Sequence, residues 1–139
     1  MTAPRRLSEP TGAELQILRV LWSRDEATVR EVHEQIVRSR GVTYTTVLKQ
    51  MQIMTKKGQV TRTTAGRAHV YRAARSERAV QGALLDDLLE RAFGGSVGTL
   101  AMCALQGRAL SDDDRHELQR LLAEPGPVPV PSREDPSDG

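Results

Sequence analysis

Residues 43–73 read TYTTVLKQMQIMTKKGQVTRTTAGRAHVYRA, and within them the hydrophobic period changes from that of a helix to that of a strand. Thr43 is an N-cap candidate. After it, Val47, Met51 and Met54 fall on one face of a helix running from about Tyr44 to Lys57. Gly58 ends that helix as a C-cap, and Lys56 and Lys57 suit its negative end. Gln59–Thr64 then reads as a strand with Val60 inward, Ala65–Gly66–Arg67 as a turn, and Ala68–Ala73 as a second strand with Val70 and Tyr71 as pairing residues. The result is a β-hairpin with a basic tip.

Two helices precede this stretch. Thr11 and Glu14 form a capping box, and Leu15, Ile17, Leu18, Leu21 and Trp22 recur at helical spacing up to about Ser23. Trp22 reads as core, packed under the third helix. A second box, Thr28 with Glu31, opens a short helix that buries Val29, Val32, Ile36 and Val37 and stops at Gly41. Helix, helix, short turn, helix and hairpin is the order of a winged helix-turn-helix domain, here over residues 11–75. The fold class is mainly α with a small β-hairpin.

Beyond Arg75 the chain is helical again over residues 76–124. Ser76 caps a helix whose wide apolar face carries Val80, Leu84, Leu85, Leu88, Leu89, Ala92 and Phe93 up to Gly94–Gly95. A further helix spans about Val97 to Leu105, and Ser111 with Asp114 caps a last one containing Leu118, Leu121 and Leu122. A face wider than one partner needs is a natural dimer seam. Residues 1–10 and the proline-rich tail 125–139 carry no fold signal and are expected to be disordered.

Charge divides the chain more sharply than its net +2 indicates. Residues 1–75 hold fourteen Lys and Arg against six Asp and Glu, and residues 76–139 hold six against twelve. From Arg38 to Arg75 there are nine cations and no acid. A polyanion fits such a segment, because each Lys or Arg near a phosphate releases a counterion. A solvated basic face is the plainer alternative. The third helix would be the recognition helix, offering Thr43, Tyr44, Thr45, Thr46 and Lys49 to the major groove, with Thr45, Lys49, Gln52 and Lys56 on one stripe. Arg62, Arg67 and His69 on the hairpin would meet the backbone or minor groove. Thr43 also has a capping role, Tyr44 also reads as a surface aromatic, and Lys56 and Lys57 also serve the helix end.

Other functions find little support. No apolar run approaches 18 residues and no secretory signal is visible, so a cytoplasmic protein without membrane contact is expected. The single cysteine, Cys103, excludes an internal disulfide and a cysteine-cluster metal site, and reads as a small buried filler. No Gly-rich phosphate loop, metal-ligand spacing or G-x-S-x-G is present, so neither an enzyme nor a cofactor or metal is expected. The acids Asp112–Asp114 sit at a helix start, where the dipole favours them. A winged helix that docks on a protein partner without specific DNA recognition is the main rival reading.

The segments ELQILRVLW (14–22), VREV (29–32), TYTTV (43–47), KKGQV (56–60) and GRAHVY (66–71) together closely resemble the penicillinase-repressor family, BlaI/MecI, with a likeness over roughly residues 11–124. The resemblance implies a homodimeric repressor that binds palindromic double-stranded operator DNA before β-lactam-resistance genes. It implies recognition roles for Thr43, Tyr44, Thr45, Thr46 and Lys49, wing roles for Arg62 and Arg67, and dimer roles for Val80, Leu84, Leu85, Leu88, Leu89, Leu118 and Leu121. It also implies a regulatory protease acting on the C-terminal half. In the best-known members the cut falls between Asn and Phe, where this chain has Cys103–Ala104, so the cleavage site does not carry over. A copper-responsive branch uses paired C-terminal cysteines, which one cysteine cannot supply.

Overall fold

The computed structural model describes residues 9–126. Of the segments expected to be disordered, residues 1–8 and 127–139 lie outside the described residues.

Helices begin where side chains satisfy their free N–H groups. Helix α1 spans Gly12–Arg24 behind the Thr11–Glu14 capping box, and α2 spans Val29–Arg40 behind Thr28–Glu31, with both reciprocal bonds formed in each. Helix α3 spans Tyr44–Lys56 behind Thr43. Strands β1 (Val60–Ala65) and β2 (Ala68–Ala73) form an antiparallel hairpin in register from Val60 opposite Ala73 to Ala65 opposite Ala68. Helices α4 (Glu77–Phe93), α5 (Val97–Leu105) and α6 (Asp112–Ala123) follow, capped by Ser76, Ser96 and Ser111.

The described residues fall into two compact units, one ending at Gly94 and the other starting at Gly95. The first has an aliphatic core. Ile17, Leu18 and Leu21 of α1, Val32 and Ile36 of α2, and Val47, Met51 and Met54 of α3 close around Val60 and Tyr71 of the hairpin. Val37, expected inward, is 39% exposed, because it lies about 100° around the helix from Ile36 and falls off the buried stripe. Trp22 is half-buried at the edge of the core, not central beneath α3, and its indole N–H donates to the Arg75 carbonyl at 3.0 Å. It ties α1 to the chain leaving the hairpin.

A third strand position, which no periodicity announced, completes the sheet. Asp25 takes a φ of +75°, turning the chain after α1. Ala27 then exchanges both backbone hydrogen bonds with Tyr71, at 3.0 and 2.8 Å. This three-helix and hairpin arrangement, with a strand residue between the first two helices, is a winged helix.

One charged group lies inside it. Glu14 is 1% exposed. Its Oε1 accepts from the Thr11 backbone N–H at 2.9 Å and from Gln59 Nε2 at 3.2 Å, and its Oε2 accepts from Lys57 Nζ at 2.8 Å and Gln50 Nε2 at 3.4 Å. Burial alone pushes the carboxyl pKa up. The Lys57 hydrogen bond, the Thr11 N–H, Gln59 and the Lys57 charge together outweigh it and hold the pKa below the ordinary value. A carboxyl depressed in the fold stabilises it above the unfolded-state pKa, and this contribution fades as pH falls through the folded value. The wild type should therefore lose urea resistance below about pH 4. Glu14→Gln should cost about 1–3 kcal/mol at pH 7 and flatten that acid limb. An acid limb of unchanged height in the Gln variant would assign it to other carboxyls.

Candidate nucleic-acid interface

The start of α3 projects from the core because its inward positions, Val47, Met51 and Met54, are fully engaged. Thr43, Tyr44, Thr45 and Thr46 are all exposed. Their hydroxyls are not equivalent. Thr43 Oγ1 accepts from the Thr46 N–H at 3.1 Å and donates to Thr46 Oγ1 at 2.9 Å, so its hydroxyl is occupied within the cap. The Thr46 hydroxyl, which accepts that bond, keeps its own proton to donate. Further along the same side, Lys49, Gln52, Ile53 and Lys56 are exposed. Ile53, at 41% exposure, escaped the sequence reading, although its i+4 spacing from Lys49 placed it on this stripe.

The hairpin extends beside this helix, with β1 packed against α3. Its turn is the two residues Gly66–Arg67, one residue shorter than expected. The positive φ falls on Gly66 (+65°), the position that favours glycine in a hairpin turn of the II′ kind. Arg62 lies two residues beyond the buried Val60, opposite Tyr71 in the hairpin register, and is exposed. Arg67 and His69 are also exposed.

The acid-free run of nine cations is not wholly free in three dimensions. Lys57 is spent on Glu14 at 2.8 Å, and Arg72 pairs with Glu26 at 2.9 Å. Both acids come from the chain before Arg38, so a count along the sequence overstates the unneutralised charge. Arg40 donates to the Gln16 side chain at 2.8 Å. Among the described residues Lys49, Lys56, Arg62 and Arg67 have no carboxylate within ion-pair distance.

The profile described as "Penicillinase repressor" matches residues 10–124. The chain belongs to the penicillinase repressor family. It is 33% identical over 120 residues to the transcriptional regulator BlaI of Mycobacterium tuberculosis, covering 86% of each chain. It is 22% identical over 120 residues to the penicillinase repressor of Bacillus licheniformis, covering 86% of this chain and 94% of that one. A solution structure of the DNA binding domain of the repressor BlaI superposes with a TM-score of 0.47 at 22% identity, over 51% of this chain and 87% of that one.

The residues that family resemblance assigned to a dimer seam divide between the units. In the first, Val80 is 6% exposed and already buried within its own chain, whereas Leu85 and Leu88 are 46% and 48% exposed and Leu84 and Leu89 half-buried. In the second, neither α5 nor α6 has a buried residue; Leu118 is half-buried and Leu121 is 53% exposed. Cys103, expected to be buried, is exposed, because α5 has nothing in its unit to bury that face. The Cys103 and Ala104 carbonyls at the end of α5 accept from Arg108 Nη1 at 3.0 and 3.3 Å. Among the described residues no helix is long and apolar enough to cross a membrane.

The capping role of Thr43 has a direct consequence for stability. Thr43→Ala should lower the unfolding free energy by about 1 kcal/mol and Thr43→Ser should stay near wild type. Equal urea midpoints for all three proteins would show that the cap contributes nothing.

Proposed function

We propose that this repressor-family chain binds double-stranded operator DNA as a homodimer, reading sequence with the exposed side of α3 and gripping the backbone with the hairpin. The observation that carries the reading is the joint exposure, on one unit, of a threonine-rich helix start and a basic hairpin on which Arg62 and Arg67 have no carboxylate partner among the described residues. Thr45, Thr46 and Gln52 offer groups to base edges, Lys49 offers a charge to guanine or phosphate, and Ile53 offers an apolar surface to a thymine methyl. Arg62, Arg67 and Lys56 supply phosphate contacts, which fix position more than sequence. The names of the relatives support a repressor, with β-lactam-response genes as the target class.

Homodimerisation rests on apolar surface that lacks cover. Leu85 and Leu88 leave α4 with an exposed apolar strip, and Val97, Met102, Leu105, Leu121 and Leu122 do the same for α5 and α6. Helices of nine and twelve residues are marginal in water without packing. A second copy related by a two-fold axis covers like with like, and sets two recognition helices on half-sites about 10 bp, or a multiple of that, apart. Release by a protease acting on the C-terminal half belongs to the same proposal, at a site other than Cys103–Ala104.

The test uses a duplex selected by the wild-type protein from a random-sequence library. Arg67→Ala and Lys56→Ala should each reduce the slope of log K against log salt by about one, whereas Lys57→Ala, whose ammonium is held by Glu14, should leave it nearly unchanged. Lys49→Ala should narrow the preference for the selected duplex over random DNA. A wild-type slope near zero would instead favour a winged helix that docks on protein.

Self-association is checked separately. Leu85→Asp with Leu88→Asp should give monomers by sedimentation and weaken binding to the selected duplex. Dimers of unchanged size would place the seam elsewhere.

A further inference from the structure

The exposed start of α3 is held from behind by a half-buried residue of the neighbouring helix. His33 of α2 places its Nε2 2.8 Å from the Val42 carbonyl. A carbonyl only accepts, so Nε2 carries the proton and donates. The same imidazole lies edge-to-face against Tyr44, with ring centroids 6.0 Å apart and planes at 85°. That is a favoured geometry for an aromatic pair.

Val42 and Tyr44 flank the cap residue Thr43, so one ring holds the chain on both sides of the point where α3 begins. The connection between α2 and α3 is short, and Gly41 within it adopts a φ of +67°, a region most residues avoid. Pinning the Val42 carbonyl fixes where the helix starts. The edge contact limits the side-chain angles open to Tyr44, which is 44% exposed and otherwise turned to solvent. A tyrosine held on one side and open on the other presents its hydroxyl in a defined direction, and an untethered one would sample several rotamers.

We infer that His33 is a positioning residue for DNA recognition: through the Val42 carbonyl and the Tyr44 ring it sets how the phenol meets the duplex, and so sharpens sequence choice without touching DNA. This rests on the proposed reading of α3 as the recognition helix. The two contacts separate by substitution. His33→Gln keeps an amide donor for Val42 and removes the ring, whereas His33→Phe keeps a ring edge for Tyr44 and removes the donor.

A double-mutant cycle on the full chain tests it, with binding measured to the selected duplex and to a random duplex of equal length. His33→Gln should weaken binding to the selected duplex by about three- to tenfold, within the range that aromatic edge contacts imply, and change binding to the random duplex less than about twofold. In a Tyr44→Ala background the same substitution should have almost no effect, because its partner is gone. His33→Phe should recover most of the Tyr44-dependent part, and thermal melting confirms that each variant is folded. Should His33→Gln fail to fold, His33→Ala is carried through the same cycle. A loss equal on both duplexes, equal in both backgrounds, or absent would overturn the inference while leaving the repressor reading intact. A wild type with no preference for its selected duplex would overturn both.

Discussion

A single buried carboxylate sets the frame on which the interface is hung. Glu14 lies at the first turn of α1, yet its oxygens receive donors from Gln50 in the middle of α3, from Lys57 just past its end, and from Gln59 where β1 is about to begin. Taking a carboxylate out of water is costly, and replacing buried ion pairs by apolar residues often stabilises proteins. What this group supplies and an apolar one would not is direction. Four donors converge on it at fixed angles, so α3 and the base of the hairpin are oriented against α1 and against each other. The two surfaces that would meet DNA are the outward faces of those same elements.

The same bond changes how the basic charge is distributed. Lys57 would otherwise be one more free cation at the end of α3, but its ammonium is committed to Glu14. Arg72 is similarly committed to Glu26, on the chain that enters α2. On α3 and the wing, the cations without a carboxylate partner among the described residues are then Lys49, Lys56, Arg62 and Arg67. A polyanion laid against α3 and the hairpin meets charge on both without competing carboxylates, the condition under which counterion release favours association. Linear charge density along the sequence pointed to this segment, and the fold shows that two of its members, Lys57 and Arg72, are paired with acids.

Features were legible in the sequence where their causes are local. Thr11 with Glu14 and Thr28 with Glu31 close reciprocal bonds within four residues, and Gly66 is required by the turn it occupies, so caps and hairpin could be read directly. The winged order followed from their succession. What stayed hidden depends on partners distant along the chain. Glu14 was read as a capping residue, which it is, but its second oxygen answers to Gln50 and Lys57, 36 and 43 positions away. Ala27 has no strand pattern because a single residue pairs with Tyr71. Trp22 looked like core from its helical spacing, but its indole N–H needs an acceptor and finds one at the edge, on Arg75. His33 carried no motif at all, and its meaning comes only from Val42 and Tyr44 being folded around it.

The two parts of the chain also differ in what makes them stable. The winged helix buries a dozen apolar side chains and needs no partner to do so. Helices α5 and α6 bury none among the described residues, and their caps and intrahelical ion pairs, such as those of Arg120 with Glu117 and Glu124, are worth little for exposed side chains. If that region draws its order from association, as proposed, the order depends on protein concentration. On the proposed reading this dependence is functional. Two winged helices joined through their C-terminal parts would bind two half-sites at a high effective concentration, through helices that bury little within their own chain. A signal that reaches the joint can weaken DNA binding many-fold while leaving every base contact and every core contact of the winged helix unchanged.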